Sequence, residues 1–106
     1  MEHVSFVLRI DPADEAEYFS RHERVYPELE EAFRQVGIHR YHIFYHEGLL
    51  FAYMMVEDYE AAMKTLADHP ANAKWQNFMR DMLLPWENGE TSKPIKEAYR
   101  YVRPEA

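Results

Sequence analysis

Cysteine is absent from all 106 residues, which removes disulfides and thiolate chemistry together. That absence suits a reducing compartment, and a cytoplasmic location is the expectation. Positive charge is also scarce. Lys and Arg number 12 against 19 Asp and Glu, for a formal net charge of −7. Such a surface repels phosphate backbones, so nucleic acid is not an expected partner. No apolar run approaches the ~20 residues needed to span a bilayer. The opening residues, MEHVSFVLRI, lack the basic start and long apolar stretch of a secretory signal, so no membrane partner is expected. Repeats, low-complexity tracts and interdomain linkers are missing too, and a single domain over residues 1–106 is the expectation. What the chain does have is apolar mass: 47% hydrophobic and 15% aromatic residues. That is enough for an independent core at this length.

Along the chain, His3 to Ile10 alternates, with Val4, Phe6, Leu8 and Ile10 on one side. Period two with aromatic and β-branched content predicts a strand with one strongly buried face. Asp11-Pro12 supplies an N-cap and a proline at the first helical position. The helical pattern continues to about Val36, where Gly37 reads as the C-terminal cap. Pro27 lies inside that span and should kink or split the helix near Tyr26. Ile38–Glu47 and Leu49–Glu57 read as strands joined by a hairpin turn at His46-Glu47-Gly48. Asp58 can cap a second helical region, Tyr59–Leu84, interrupted at His69-Pro70. Its second half puts Trp75, Phe78, Met79, Met82 and Leu83 on one stripe. Pro85 to Pro94 reads as a loop, and Ile95–Val102 as a last strand.

The order β-α-β-β-α-β is that of a ferredoxin-like α+β fold, an antiparallel sheet with helices on one face. The other sheet face then needs cover, and a second copy of the chain is the simplest source. A homodimer is expected.

On an ideal helix at ~100° per residue, Tyr18, His22, Leu29, Phe33 and Val36 fall within about 60° of one another. Tyr18 and His22, four residues apart, therefore share the face that meets the sheet. Two readings stand. Both residues can be core members with satisfied polar atoms. Alternatively they border a pocket in which His22 passes protons near neutral pH. Tyr41 in its strand and Trp75 on its stripe are core by default, yet aromatic faces also suit the C–H surface of a pyranose. Two Tyr, one His and one Trp would serve a neutral polyol. A metal site fits poorly. His39 faces away from His42 and His46 in a strand, and those two lie about 13 Å apart at ~3.3 Å per residue. No HExxH, phosphate loop or nucleophile elbow is present.

The stretch Tyr18-Phe19-Ser20-Arg21-His22 through Pro27-Glu28-Leu29 resembles the YxxRHxxxxPEL signature of the L-rhamnose mutarotases. Gly37 with Tyr41, the Leu50-Phe51-Ala52 strand, and Lys74-Trp75 followed by Met79 match as well, so the similarity spans essentially the whole chain. The resemblance implies a dimeric ferredoxin-like protein, of dimeric α/β-barrel type. It also implies an isomerase that interconverts the α and β anomers of L-rhamnose without a cofactor. It assigns His22 as the proton donor and Tyr18, Tyr41 and Trp75 as sugar contacts. Two departures are visible. Gln76 stands where the family usually has a second tryptophan, and Pro85–Pro94 replaces its NPDNSP-type loop. Both fall where the sugar would be held, and Gln76 is taken as a substrate-binding position. The competing readings are a cofactor-free or haem-linked oxygenase on the same fold, and a non-catalytic sugar-binding module.

Overall fold

The computed structural model describes residues 1–105. β1 runs Glu2–Arg9 and pairs antiparallel with β3, Leu49–Val56, with Phe6 opposite Ala52. β2, Ile38–His46, pairs with the other edge of β3. A short β4, Lys93–Ile95, adds to the free edge of β1, which gives the order β2-β3-β1-β4. Every pairing is antiparallel, and the order is that of the ferredoxin-like fold. The β2–β3 hairpin turns through Glu47 at φ 46° and Gly48 at φ 88°. Two positive φ values in a two-residue turn match the right-handed twist of the flanking strands.

Between β1 and β2 the chain forms a 3-10 turn at Pro12–Asp14 and two helices, α1 Glu15–His22 and α2 Pro27–Gln35. The Asp11 carboxylate caps the turn by accepting from the Ala13 N–H at 2.9 Å. Pro27 splits the helical span near Tyr26, as the sequence led one to expect. Tyr26, held extended by the proline ring that follows, has ψ 129°, and Pro27 then starts α2, where its missing N–H costs nothing. The second helical region also divides, into α3 Tyr59–Ala67 and α4 Pro70–Met79. Asp58 caps α3 through the Ala61 N–H. α4 ends at Met79, short of the expected Leu84, although Met82 and Leu83 still pack into the core.

The last strand is the main correction. Only Lys93–Ile95 pairs with β1, not Ile95–Val102, and the following residues are exposed without regular structure. By the register of the pair, Glu2 at the start of β1 would stand opposite Ala98, so Tyr99–Val102 has no partner strand to join.

Leu8 and Ile10 of β1's inner side, Leu50 of β3, and Ile43 and Tyr45 of β2 pack with Tyr18, Leu29, Trp75 and Met79 from the helices. A second cluster, Met54, Val56 and Ala62 with Val4, Phe6, Ile38 and Tyr59, fills the other end of the same layer. The sheet therefore carries all four helices on one face. On its outer face Trp86 covers the β1–β4 edge. Its indole N–H donates to the Val7 carbonyl at 3.2 Å, and the Arg9 guanidinium lies 4.5 Å above its ring.

Candidate active site

His22 is the last residue of α1, placed there because the Tyr26-Pro27 pair forces the helix to stop. Its ring stacks on that of Tyr18 one turn earlier, with centroids 4.2 Å apart, as an i, i+4 pair allows. Its Nδ1 lies 3.0 Å from the Tyr18 carbonyl oxygen. A carbonyl can only accept, so Nδ1 carries the proton and Nε2 keeps a lone pair. The edge of Trp75 closes the ring's other contact at 5.2 Å and 87°. Burial disfavours the imidazolium and holds the His22 pKa below its usual 6.5, an effect the carbonyl only partly offsets. At neutral pH this His is an uncharged base.

Arg21, beside it in sequence, fixes α1 in place. Its guanidinium donates to both carboxylate oxygens of Asp81, at 2.9 and 3.2 Å, to Glu17 at 2.9 Å and to the Phe78 carbonyl at 2.8 Å. The group also lies over the Phe78 ring. These contacts tie the end of α1 to the end of α4, and so hold His22 against Trp75. A planar donor fork suits such a multiple clamp.

Between the two core clusters lies a cavity of about 750 Å³. Its wall includes His22, Tyr41, Trp75 and Gln76, brought together from α1, β2 and α4. Trp75 is only 9% exposed; most of it is core, and part borders the cavity. Tyr41 remains 36% accessible, while burial and the neighbouring Tyr59 push its phenol up to about 12. The two facts agree because a ring can border an open cavity and still lie deep among protein atoms. Tyr18 is not part of the wall. It stands behind His22, buried, with its phenol pKa raised by burial and by the proximity of Tyr41. Both phenols therefore keep their protons at ordinary pH.

Gln76 is held in one orientation by its neighbour. Asn72 Nδ2 donates to the Leu66 carbonyl at 3.0 Å, which leaves Asn72 Oδ1 to accept from Gln76 Nε2 at a long 3.5 Å. Gln76 Oε1 is then the atom left to accept from a ligand. Thr91 and Ser92 line the cavity too, from the Pro85–Pro94 loop that the sequence had placed at the sugar, and so do Asn72 and Tyr59, which sequence reasoning missed. The spacing of Asn72, Trp75 and Gln76, i, i+3 and i+4 on one helix, was the available signal for the first. His39 pairs with Glu57 at 2.7 Å and lines the cavity, whereas His42 stacks on Phe44 of the outer face. Among the described residues no group of three His, Cys, Asp or Glu is placed to hold a metal ion.

A family model described as L-rhamnose mutarotase matches residues 3–101. The L-rhamnose mutarotase of Mannheimia succiniciproducens is 39% identical over 97 residues, covering 89% of this chain and 92% of its own. That of Enterococcus faecalis is 36% identical over 81 residues, covering 74% and 78%. Among solved structures, the L-rhamnose mutarotase FA22100 of Formosa agariphila superposes with a TM-score of 0.82 at 26% identity, covering 96% of this chain and all of that one. A putative antibiotic biosynthesis monooxygenase from Nitrosomonas europaea matches at a TM-score of 0.59 and 17% identity. That level of likeness shows a shared fold alone, and the oxygenase reading is not favoured. Family model, relatives and superposition point the same way: the chain belongs to the L-rhamnose mutarotase family.

Proposed function

We propose that this protein interconverts the α and β anomers of L-rhamnose or a similar deoxysugar in the cytoplasm, with no cofactor and with His22 as the acid–base residue. The observation that carries the reading is the tautomer of His22. Its Nδ1 proton is committed to the Tyr18 carbonyl, so Nε2 is the one nitrogen available to a ligand in the cavity. Ring opening needs a proton taken from the anomeric oxygen O1 and one given to the ring oxygen O5. Nε2 accepts the O1 proton as C1=O1 forms and the C1–O5 bond breaks. The electron pair goes to O5, which takes the proton from the imidazolium just made. Both oxygens are bonded to C1, so one nitrogen can reach either in turn. Rotation about C1–C2 and the reverse sequence give the other anomer, and His22 ends as it began.

A neutral base is the state this cycle starts from, which agrees with a pKa held below the usual value. Tyr41, its phenol kept protonated, donates to a sugar oxygen. Trp75 offers an aromatic face to the sugar's C–H side. Gln76 Oε1 accepts from one hydroxyl and so reads its position. Tyr18, behind His22, holds the imidazole by ring stacking and through its carbonyl. A binding module would need none of this proton handling, and a free Nε2 on the cavity wall favours the enzyme.

The working form is a homodimer. On the outer sheet face Phe44 is 60% exposed, Phe51 lies near it, and His42 and Tyr53 continue the aromatic surface. A second copy would bury it. The test of the catalytic reading is saturation transfer between anomeric protons across L-rhamnose, L-fucose, D-ribose and D-galactose. Enzyme-dependent transfer for L-rhamnose supports it. Transfer no faster than in buffer for all four sugars removes it.

A further inference from the structure

The cavity extends well past the catalytic group. On the β2 side its wall runs from Ile43, which packs in the cluster of Tyr18 and Trp75, to Ile38 at the strand's far end. Five residues of strand make that about 16 Å at ~3.3 Å per residue. The volume, about 750 Å³, is of the size that holds multi-ring ligands, ~300–1,000 Å³. The cavity also explains why the inner layer has two core clusters instead of one, since its wall draws residues from both. The proposed proton transfer uses only the half formed by the first cluster.

The other half is walled by Phe6, Ile38, Tyr59, Met63, Leu66 and Ala67. It is apolar, with aromatic edges: Phe6 and Phe33 meet the Tyr41 ring at 6.2 and 5.7 Å. The charged residues that also border the cavity are Glu30, Arg34, Arg40 and His39; Arg34 pairs with Glu31 and His39 with Glu57. Both halves belong to one continuous cavity, so a substrate can lie across both. Mutarotation restricts what that substrate is. The anomeric carbon must carry a free hydroxyl at His22, so anything in the far half hangs from another hydroxyl of the same sugar.

We infer that the far half is a subsite for a second sugar ring, and that the enzyme acts on the reducing end of a disaccharide whose reducing unit is a deoxyhexose. The inference rests on the mutarotase reading above. Tyr59 supplies one hydroxyl to the second ring, and the Phe6–Ile38–Met63 wall takes its C–H face. The bond changes are unchanged, because the glycosidic link is not broken.

The experiment is saturation-transfer NMR on L-rhamnose and on disaccharides with L-rhamnose at the reducing end, linked through its O2, O3 or O4. Wild-type protein should exchange the anomers of at least one disaccharide at a rate within about tenfold of L-rhamnose, while Ala67→Trp and Met63→Trp, which fill the far half, should slow that disaccharide about tenfold or more and L-rhamnose less than about twofold. Ala67 is exposed at the end of α3, so its variant tests the point even if the core residue Met63 does not tolerate the change. Exchange of L-rhamnose with no disaccharide above the buffer rate overturns the subsite and leaves the mutarotase intact. So does a disaccharide rate that both variants leave unchanged, or one that falls in step with L-rhamnose. Failure of wild type on L-rhamnose itself removes the underlying reading instead.

Discussion

The two faces of the sheet are made from the same strands, residue by residue in alternation, yet they ended differently. The inner face, Phe6 and Leu8 of β1 with Tyr41 and Ile43 of β2, received four helices and still kept a cavity. The outer face, Phe44 and Phe51 with His42 and Tyr53, received only the Trp86 loop at one edge. Apolar content alone does not separate them. The inner side places His22 on the cavity wall, with its Nδ1 engaged by the Tyr18 carbonyl. The outer face is broad and aromatic, and its histidines stack on neighbours, His42 on Phe44 and His3 on Tyr53. One holds a cavity and the other is an exposed aromatic surface.

The comparison breaks most sharply at His22. His22→Ala should lower anomer exchange at least about 100-fold with the fold retained, the usual size of a positioned acid–base contribution. Exchange within threefold of wild type at equal folded fraction would take His22 out of the chemistry. On the outer face, Phe44→Asp should convert a dimer to a monomer, since it puts a charge at the centre of an apolar contact. Sedimentation equilibrium at micromolar concentration reads the result: about twice 12.8 kDa for wild type and 12.8 kDa for the variant. A wild-type protein that sediments as a monomer removes the dimer.

A smaller effect is expected at Gln76. Gln76→Trp takes away the amide acceptor, so the ratio of L-rhamnose to L-fucose affinity should change by about tenfold or more, whereas Trp75→Phe should weaken both sugars alike. An unchanged ratio in Gln76→Trp would show that position 76 does not read a hydroxyl. The smallest effect belongs to Arg21→Ala. Its carboxylate partners are mostly exposed, so the loss should be about 1 kcal/mol, the upper end for solvent-screened pairs. A Tm drop of about 4–8 °C follows for a domain of this size. If Arg21 positions His22, its removal should also lower kcat in the material that remains folded; a Tm drop alone would leave it a structural clamp.

Much of this was legible before any coordinates. The alternation of β1, the Asp11-Pro12 and Asp58 caps and the His46-Glu47-Gly48 turn are local chemistry, and the structure repeats them within a residue or two. The convergence of His22, Tyr41, Trp75 and Gln76 rested on motif resemblance, and spacing alone left Tyr41 and Trp75 as core. What was hidden depends on long-range packing. The shortness of β4 depends on what lies beside it, not on the alternation of Ile95–Val102. The placing of Tyr18 behind His22 instead of on the cavity wall turns on ring stacking, which a helical wheel cannot resolve. The cavity itself is a gap between two clusters, and no single segment encodes it.

The proton shuttle has one direct measurement. NMR titration of the His22 ring, run beside the pH dependence of L-rhamnose anomer exchange, places the same group on two scales. Burial lowers the His22 pKa from its ordinary 6.5, so folded protein binds that proton less readily than the unfolded chain. Stability from this group is therefore present above the unfolded His value of about 6.5 and is lost as pH falls from there through the folded pKa. The exchange rate should be flat above the folded pKa and fall below it, with a midpoint under 6.5 that matches the NMR titration, Nδ1 carrying its proton throughout and Nε2 gaining one only as the pH falls through the midpoint. A rate that stays level as the His22 ring takes up its second proton, in protein that remains folded, would contradict the shuttle.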